Sequence, residues 1–268
     1  MNDVHEHSRL IVDQFSAQAE GYARLTGSMS AQGARAAFTA LIGAAPDDLA
    51  LDLCCGPGTL ALDLAACVTH VTGLDLTPAM LTQAQAAQRV RGAANVAWVI
   101  GDANNLPFDD GTFSLVTCSA AFHHLHEPRR VLTEMARVCR PDGRIVVRDV
   151  TPEAAKAAEY DRMERLRDPS HAHALTAEEM ERLGDGLALA PPKLHRSITA
   201  DLPLNAILAA SFPEACSIMD IRAMFLADAM EGADRLGFSA RIVADDIRVS
   251  YRQTTAIWVK VDPSVAPK

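Results

Sequence analysis

The chain reads as an α/β protein built on a doubly wound, mostly parallel sheet, and three observations carry that reading. Apolar runs of strand length alternate with helix-length stretches between residues 50 and 150. The first run, residues 50–54, ends in Gly56-Pro57-Gly58-Thr59, a glycine turn of the kind that opens a helix after a strand. The second and third runs each end on a carboxylate, Asp75 and Asp102. Ligands of open parallel sheets sit outside the carboxyl ends of the strands, so these three polar ends define the wall of one nucleoside-sized crevice.

Each element has a local reason. Residues 8–24 place Leu10, Ile11, Phe15, Ala19 and Tyr22 at helical spacing, and residues 29–42 form a second, alanine-rich helix that ends before Gly43 and Pro46. Strands are expected at 50–54, 70–75, 96–100, 113–119 and 144–150, with helices at 59–67, 78–90 and 128–139 between them. Thr77-Pro78 is an N-cap followed by proline at the first helical position, and Pro128 opens a helix in the same way. Arg140-Pro141-Asp142-Gly143 stops that helix with a turn. Past residue 150 the rhythm breaks. Residues 153–185 are helical and charged, interrupted at Arg167-Asp168-Pro169-Ser170. An apolar run near 194–199 follows, then helical segments to about residue 230, and residues 247–261 alternate as paired strands do. The expected organisation is an N-terminal helical lid over 1–45, a core over 46–152, and a helical insertion with C-terminal strands completing the sheet over 153–268.

Composition removes several classes. The 268 residues are 49% hydrophobic and carry a net charge of −9, with acidic and basic residues interspersed. That balance suits a packed globular chain and disfavours nucleic acid as a partner, which needs a concentrated basic face. No apolar run approaches a membrane span, and residues 1–7 have neither a basic nor an apolar targeting region. The six cysteines show no CxxC pair, so free thiols and a cytoplasmic location are expected.

Five motifs in order carry a resemblance. Asp52-Leu53-Cys54-Cys55-Gly56-Pro57-Gly58-Thr59, Gly73-Leu74-Asp75-Leu76-Thr77-Pro78-Ala79-Met80, Gly101-Asp102-Ala103, Ser119 to Leu125 and Arg140 to Gly143 are similar to those of class I S-adenosylmethionine-dependent methyltransferases. Among these the chain most resembles the ubiquinone and menaquinone C-methyltransferases. The resemblance is strong over residues 10–150 and loose beyond, and it departs at Cys54, where the usual Gly-x-Gly-x-Gly loop has its first glycine. It implies a Rossmann-like, seven-stranded sheet, S-adenosyl-L-methionine as cofactor with S-adenosyl-L-homocysteine as product, and a small-molecule acceptor.

Physical roles can be set beside the motifs. Gly56 and Gly58, flanking Pro57, let the backbone turn tightly and approach a ligand, and the helix opening at Thr59 offers unpaired N–H groups to a carboxylate. Asp75 is placed to accept the ribose hydroxyls, Asp102 the adenine amino group, and Ala103 to offer its backbone N–H to the ring. Leu76, Met80 and Leu106 are apolar enough to sandwich the purine. Ser119 ends the fourth strand beside the methionine tail, Tyr22 resembles the family's tyrosine that closes over it, and Asp52 is counted with these cofactor-binding residues. His123, then His124, are candidates for a base or a substrate anchor, since imidazole takes a proton near neutral pH. The other reading of both is packing or capping of the next helix. Asp168-Pro169-Ser170-His171 either orients the acceptor or is a helix-breaking turn. No acidic or cysteine ligands accompany the histidines at metal spacing, so no metal is expected.

The expected reaction is methyl transfer to carbon or oxygen of an aromatic or quinone-like metabolite, with nitrogen or sulfur acceptors open. A cofactor-binding member without catalysis shares the same pocket. A nicotinamide dehydrogenase is the remaining rival, although its third glycine would fall at Ala61 and Gly101-Asp102-Ala103 has no counterpart there.

Overall fold

A computed structural model describes residues 2–29, 32–199, 201–213 and 216–262. Residues 1 and 263–268, the ends of the predicted lid and C-terminal segment, lie outside the described residues, as do residues 30 and 31 of the predicted second helix. Two helices, α1 (Asn2–Met29) and α2 (Gln32–Leu41), precede the core. The core then runs β1 (Leu49–Leu53), α3 (Thr59–Leu64), β2 (His70–Asp75), α4 (Pro78–Arg91), β3 (Val96–Ile100), β4 (Phe113–Ser119), a 3-10 turn (Phe122–His124), α5 (Pro128–Val138) and β5 (Cys139–Val150). Beyond it come α6 (Ala157–Arg167), α7 (Ala177–Arg182), β6 (Lys193–Ile198), β7 (Leu202–Pro203), α8 (Leu204–Leu208), α9 (Ile218–Glu231), β8 (Arg241–Val243), β9 (Asp246–Val249) and β10 (Arg252–Val259).

Among the described residues the main sheet has seven strands in the order β3-β2-β1-β4-β5-β10-β6. β1 pairs in parallel with β2 on one side and β4 on the other, so the winding reverses beside β1 and a crevice opens at its carboxyl end. Alternation along the strands builds a core on each face. Leu51, Leu53, Ile145 and Val147 pack on one side with Leu132 and Met135 of α5, while Ala50 and Val146 face Ala61, Leu62 and Leu64 of α3 on the other.

Several expectations are corrected. α1 starts at Asn2 and runs 28 residues, so α2 opens only at Gln32. Residues 247–261 alternate like paired strands, but the two strands there do not pair with each other. β10 inserts antiparallel between β5 and β6, whereas β9 joins β7 and β8 in a separate three-stranded sheet that the pattern did not predict. The turn at Arg140 to Gly143 lies within β5, because Cys139 already pairs with Phe113 before the register shifts to Leu115 and Arg144. Thr77 takes the N-cap position of α4 without a cap bond from its hydroxyl; its own N–H donates to Asp75 Oδ1 at 2.8 Å.

The segment after β5 has its own apolar cluster. Tyr160, Met163, Phe225 and Phe238 lie at its centre, with the Tyr160 and Phe238 rings stacked at 4.5 Å. No helix among the described residues is long and apolar enough to cross a membrane.

Candidate active site

The glycine turn after β1 is shaped by contacts on two sides. Gly56 has φ +53° and donates its N–H to Asp75 Oδ2 at 2.8 Å, so the carboxylate at the tip of β2 ties the turn down. Gly58, with φ +78°, packs away from the crevice: a Cβ there would come within 2.5 Å of the Trp98 ring. Gly73 on β2 is under the same constraint, a Cβ meeting Trp98 at 2.5 Å. Cys54 holds φ +49°, a left-handed conformation that glycine adopts without cost and other residues rarely do. The backbone thus keeps the geometry of a glycine loop at the position where the side chain departs from it.

These strand ends line a cavity of about 560 Å³, within the usual range for small-ligand sites. Tyr22, Asp52, Gly56, Pro57, Asp75, Leu76, Met80, Asp102, Ala103, Ser119, His123 and His124 all border it. Gly58 does not, and its requirement is packing under Trp98. Leu106 is also absent from the wall, because it is buried in the core with its N–H bonded to Glu134. α1 contributes Ser8, Ile11, Phe15, Gln18 and Tyr22, one stripe at helical spacing that crosses the cavity. Apolar periodicity marks Ile11, Phe15 and Tyr22 of this stripe but not its polar members, Ser8 and Gln18. Gln18 is buried and donates to Asp168 Oδ2 at 3.1 Å, joining α1 to the segment after α6.

The carboxylates differ sharply in setting. Asp52 accepts from the Thr117 hydroxyl through Oδ1 at 2.8 Å, while its Oδ2 is buried without a partner. Burial pushes its pKa up to about 7. Asp75 is raised by burial as well, against the pull of its bonds to Thr77 and Gly56. Asp102 uses Oδ1 to accept from the backbone and side chain of Asn104 at 2.8 and 2.9 Å.

The two histidines are electrostatic opposites. His123 Nδ1 is 2.7 Å from Asp149 Oδ1, and its backbone N–H donates to Asp149 Oδ2 at 3.0 Å. Burial works against the imidazolium, but the Asp149 charge and hydrogen bond prevail and raise the His123 pKa. The same pairing overcomes burial to lower that of Asp149. His124 is pushed down to about 3 by burial and the charge of His123, and so stays neutral. Its Nδ1 lies 3.1 Å from the Ser170 carbonyl, and Phe15 packs edge-on to its ring at 4.9 Å. A base this weak takes no proton near neutral pH, which leaves His123 the better placed of the two. Asp168 borders the cavity and accepts from the Ser170 hydroxyl at 2.6 Å, so this segment is both a turn and part of the wall.

Among the residues the sequence did not single out are Arg148 and Arg167 on the wall and Asp149 behind it. Arg148 donates Nε to Ser119 Oγ at 2.9 Å and lies over the Phe38 ring at 4.0 Å. Its neighbour Asp149 points to the other face of β5 and anchors His123. Arg167 pairs with Glu164 at the insertion side of the cavity. The available signal was Arg148-Asp149, two charges inside the apolar run from Ile145 to Val150, where an unpaired charge is costly. Among the described residues no group of three or more His, Cys, Asp or Glu is arranged to hold a metal.

Residues 50–143 match the family described as "Methyltransferase domain". Over these residues the chain is similar to a methyltransferase domain. Over 135 residues it is 35% identical to the uncharacterized methyltransferase YcgJ of Bacillus subtilis, a match spanning 50% of this chain and 53% of that protein. It is 39% identical over 113 residues to a demethylmenaquinone methyltransferase of Clavibacter sepedonicus, spanning 42% and 45%. The chain therefore spans about half the length of the curated relatives it matches. Its fold extends further: the crystal structure of YcgJ superposes with a TM-score of 0.75 at 22% identity, covering 87% of this chain and 100% of that one. The seven-stranded, mostly parallel sheet is thus the class I methyltransferase fold.

Proposed function

We propose that this chain transfers a methyl group from S-adenosylmethionine to carbon or oxygen of a small aromatic or quinone-like acceptor. The observation that carries this reading is a cavity with two unlike walls. Strand-tip carboxylates and the glycine turn form one wall, α1 and the insertion form the other, and His123, backed by Asp149, opens onto the same space.

The residues present fit that cofactor. Asp75 would hold the ribose hydroxyls on the lone pairs left after its bonds to Gly56 and Thr77. Asp102 and the Ala103 N–H would read the adenine edge, with Leu76 and Met80 against the ring. Gly56, Pro57, Ser119 and Tyr22 would surround the methionyl tail, and the unpartnered Asp52 Oδ2 would receive its ammonium. Bound there, the cofactor supplies a methyl group already activated on sulfonium.

What this chain's own residues add is alignment, dryness and a place for a proton. Phe15, Tyr22 and Tyr160 shield the cavity, and Gln18 ties α1 to Asp168 over it. His123 Nε2 can take the proton of an acceptor hydroxyl or carbon while Asp149 holds Nδ1 and stabilises the imidazolium. The similarity to a demethylmenaquinone methyltransferase favours a quinol-like acceptor.

The test is incubation of the purified protein with methyl-labelled S-adenosylmethionine and either 1,4-naphthoquinols or a small-molecule cell extract. Labelled product is expected, and His123→Gln should lower its rate by about a hundredfold while leaving S-adenosylhomocysteine affinity unchanged. Tight cofactor binding with no product from any acceptor would indicate a non-catalytic member. Preferential binding of NAD in calorimetry would overturn the cofactor assignment.

A further inference from the structure

Two tyrosines border the insertion side of the cavity, Tyr160 on α6 and Tyr251 in the link between β9 and β10. Their rings belong to the apolar cluster beyond β5 and share one neighbour, Phe238. Tyr160 stacks on that ring at 4.5 Å, and Tyr251 meets it edge-on at 5.6 Å. Phe238 is fully buried and Tyr160 only 3% exposed, so packing of the rings, not their hydroxyls, holds them in place. The Tyr251 backbone is clamped as well. Its N–H donates to Thr199 Oγ1 at 2.8 Å, and its carbonyl accepts from the Thr199 N–H at 2.9 Å.

Neither hydroxyl has a hydrogen-bond partner among the described residues. A buried tyrosine ordinarily finds one, and phenylalanine would fill the same space against Phe238 without an unpaired polar atom. The polar groups that share this side of the cavity are committed elsewhere. Glu164 accepts from two nitrogens of Arg167, which also donates to Ser211 Oγ at 3.1 Å. Asp168 accepts from Gln18 and Ser170. Burial, and then the charge of Glu164, raises both phenols above their ordinary range, so each keeps its proton and serves as a donor. Two neutral O–H donors on one cavity wall, fixed by packing and lacking an acceptor, call for a ligand oxygen. A phenol, enol or carbonyl oxygen can accept from them, whereas a protonated amine has no lone pair to offer.

We propose that Tyr160 and Tyr251 anchor the methyl acceptor by a ring oxygen, donating their hydroxyls to it from the insertion side of the cavity. The assignment rests on the methyltransferase reading above and deepens it, because the acceptor is then selected for its oxygen as well as for its aromatic shape. His123 opens onto the same space. When the acceptor O–H bond breaks, its proton goes to His123 Nε2 and its electron pair stays on the oxygen, where the two hydroxyls stabilise the charge. Both tyrosines keep their own protons throughout.

Equilibrium dialysis with two probes, on protein loaded with S-adenosylhomocysteine, tests it without knowledge of the natural acceptor. 1-Naphthol and naphthalene share a fused ring and differ by one hydroxyl. The wild-type protein should bind 1-naphthol about tenfold tighter or more. Tyr160→Phe and Tyr251→Phe keep the ring that packs on Phe238. Each should weaken 1-naphthol binding by about three- to tenfold while leaving naphthalene and S-adenosylhomocysteine within about twofold, and the double variant should lose most of the preference. In methyl transfer to a 1,4-naphthoquinol the same variants should raise the acceptor KM and leave that of S-adenosylmethionine unchanged. Equal wild-type affinity for the two probes, or unchanged 1-naphthol affinity in either single variant, would overturn the assignment. Parallel losses for both probes would overturn it too, by reducing the tyrosines to packing. A protein that binds S-adenosylhomocysteine but neither probe keeps the cofactor reading and loses this one. Failure to bind S-adenosylhomocysteine at all would instead sink the cofactor reading.

Discussion

Asp75 is bonded twice before any ligand arrives, through Oδ2 to the Gly56 N–H and through Oδ1 to the Thr77 N–H. It therefore shapes the glycine turn as well as facing the cavity. Asp75→Ala should weaken S-adenosylhomocysteine binding by on the order of 1–3 kcal/mol, measured by calorimetry, because charge-assisted hydrogen bonds are lost. Unchanged affinity in a folded variant would remove Asp75 from the ribose site. His123 and Asp149 make a pH prediction whose sign follows from their opposite shifts. His123 is raised, so its contribution to stability is complete below about pH 6.5 and fades as pH rises through its folded value. Asp149 is lowered, so its contribution is complete above about pH 4 and fades as pH falls through its folded value. Urea unfolding should show the stability difference between wild type and His123→Gln at its largest between these limits and narrowing above them. The rate of methyl transfer should rise with pH through a midpoint above 6.5, because only neutral His123 accepts a proton. A midpoint at or below 6.5 would mean that another group is the base.

At the scale of elements, the glycine turn, β2 and β3 meet at one indole. Trp98 fills the space left by Gly58 and Gly73 and donates Nε1 to Gln88 Oε1 on α4 at 2.6 Å. Gly73→Ala should destabilise the fold by about 1–3 kcal/mol through overpacking. Adding Trp98→Leu should recover part of that loss, a non-additivity read from denaturant unfolding of the single and double variants. If the two losses simply add, the indole is not what constrains Gly73. Core elements were legible from sequence because their causes are local. Thr77-Pro78, Pro128 and the strand-ending aspartates act within a turn of their own positions. The three-stranded sheet of β7, β8 and β9 was not legible, since its strands are two to four residues long and β7 pairs with β9 from far away in the chain, while β8 and β9 are joined by a tight turn. β8 is exposed along its whole length, so it shows no buried alternation to read.

For the whole molecule, the cavity lies at a seam. Core residues from residue 52 to residue 124 form one side, and α1, α6, α8 and the start of β10 form the other. A ligand that touches both sides stabilises them together. S-Adenosylhomocysteine at a hundred times its Kd should add about 2.7 kcal/mol and raise Tm by roughly 5–10 °C in a thermal scan, whereas NAD should not. A separate melting step for the insertion that S-adenosylhomocysteine leaves in place would show that the two sides are not coupled through the site.

What the sequence determined by itself was the alternating α/β core, the crevice at the strand ends and most of the strand-end wall of the cavity, because periodicity, caps and glycine turns are short-range properties of the chain. Tertiary structure alone decided how those residues are used. It turned Gly58 under Trp98, set Asp149 behind His123 across 26 positions, joined Gln18 to Asp168 across 150, and placed Arg148 on the cavity wall against Ser119 and Phe38. Pairings over such distances arise only when the sheet order brings the strands together, and burial then decides which charge is satisfied and which is left for a ligand.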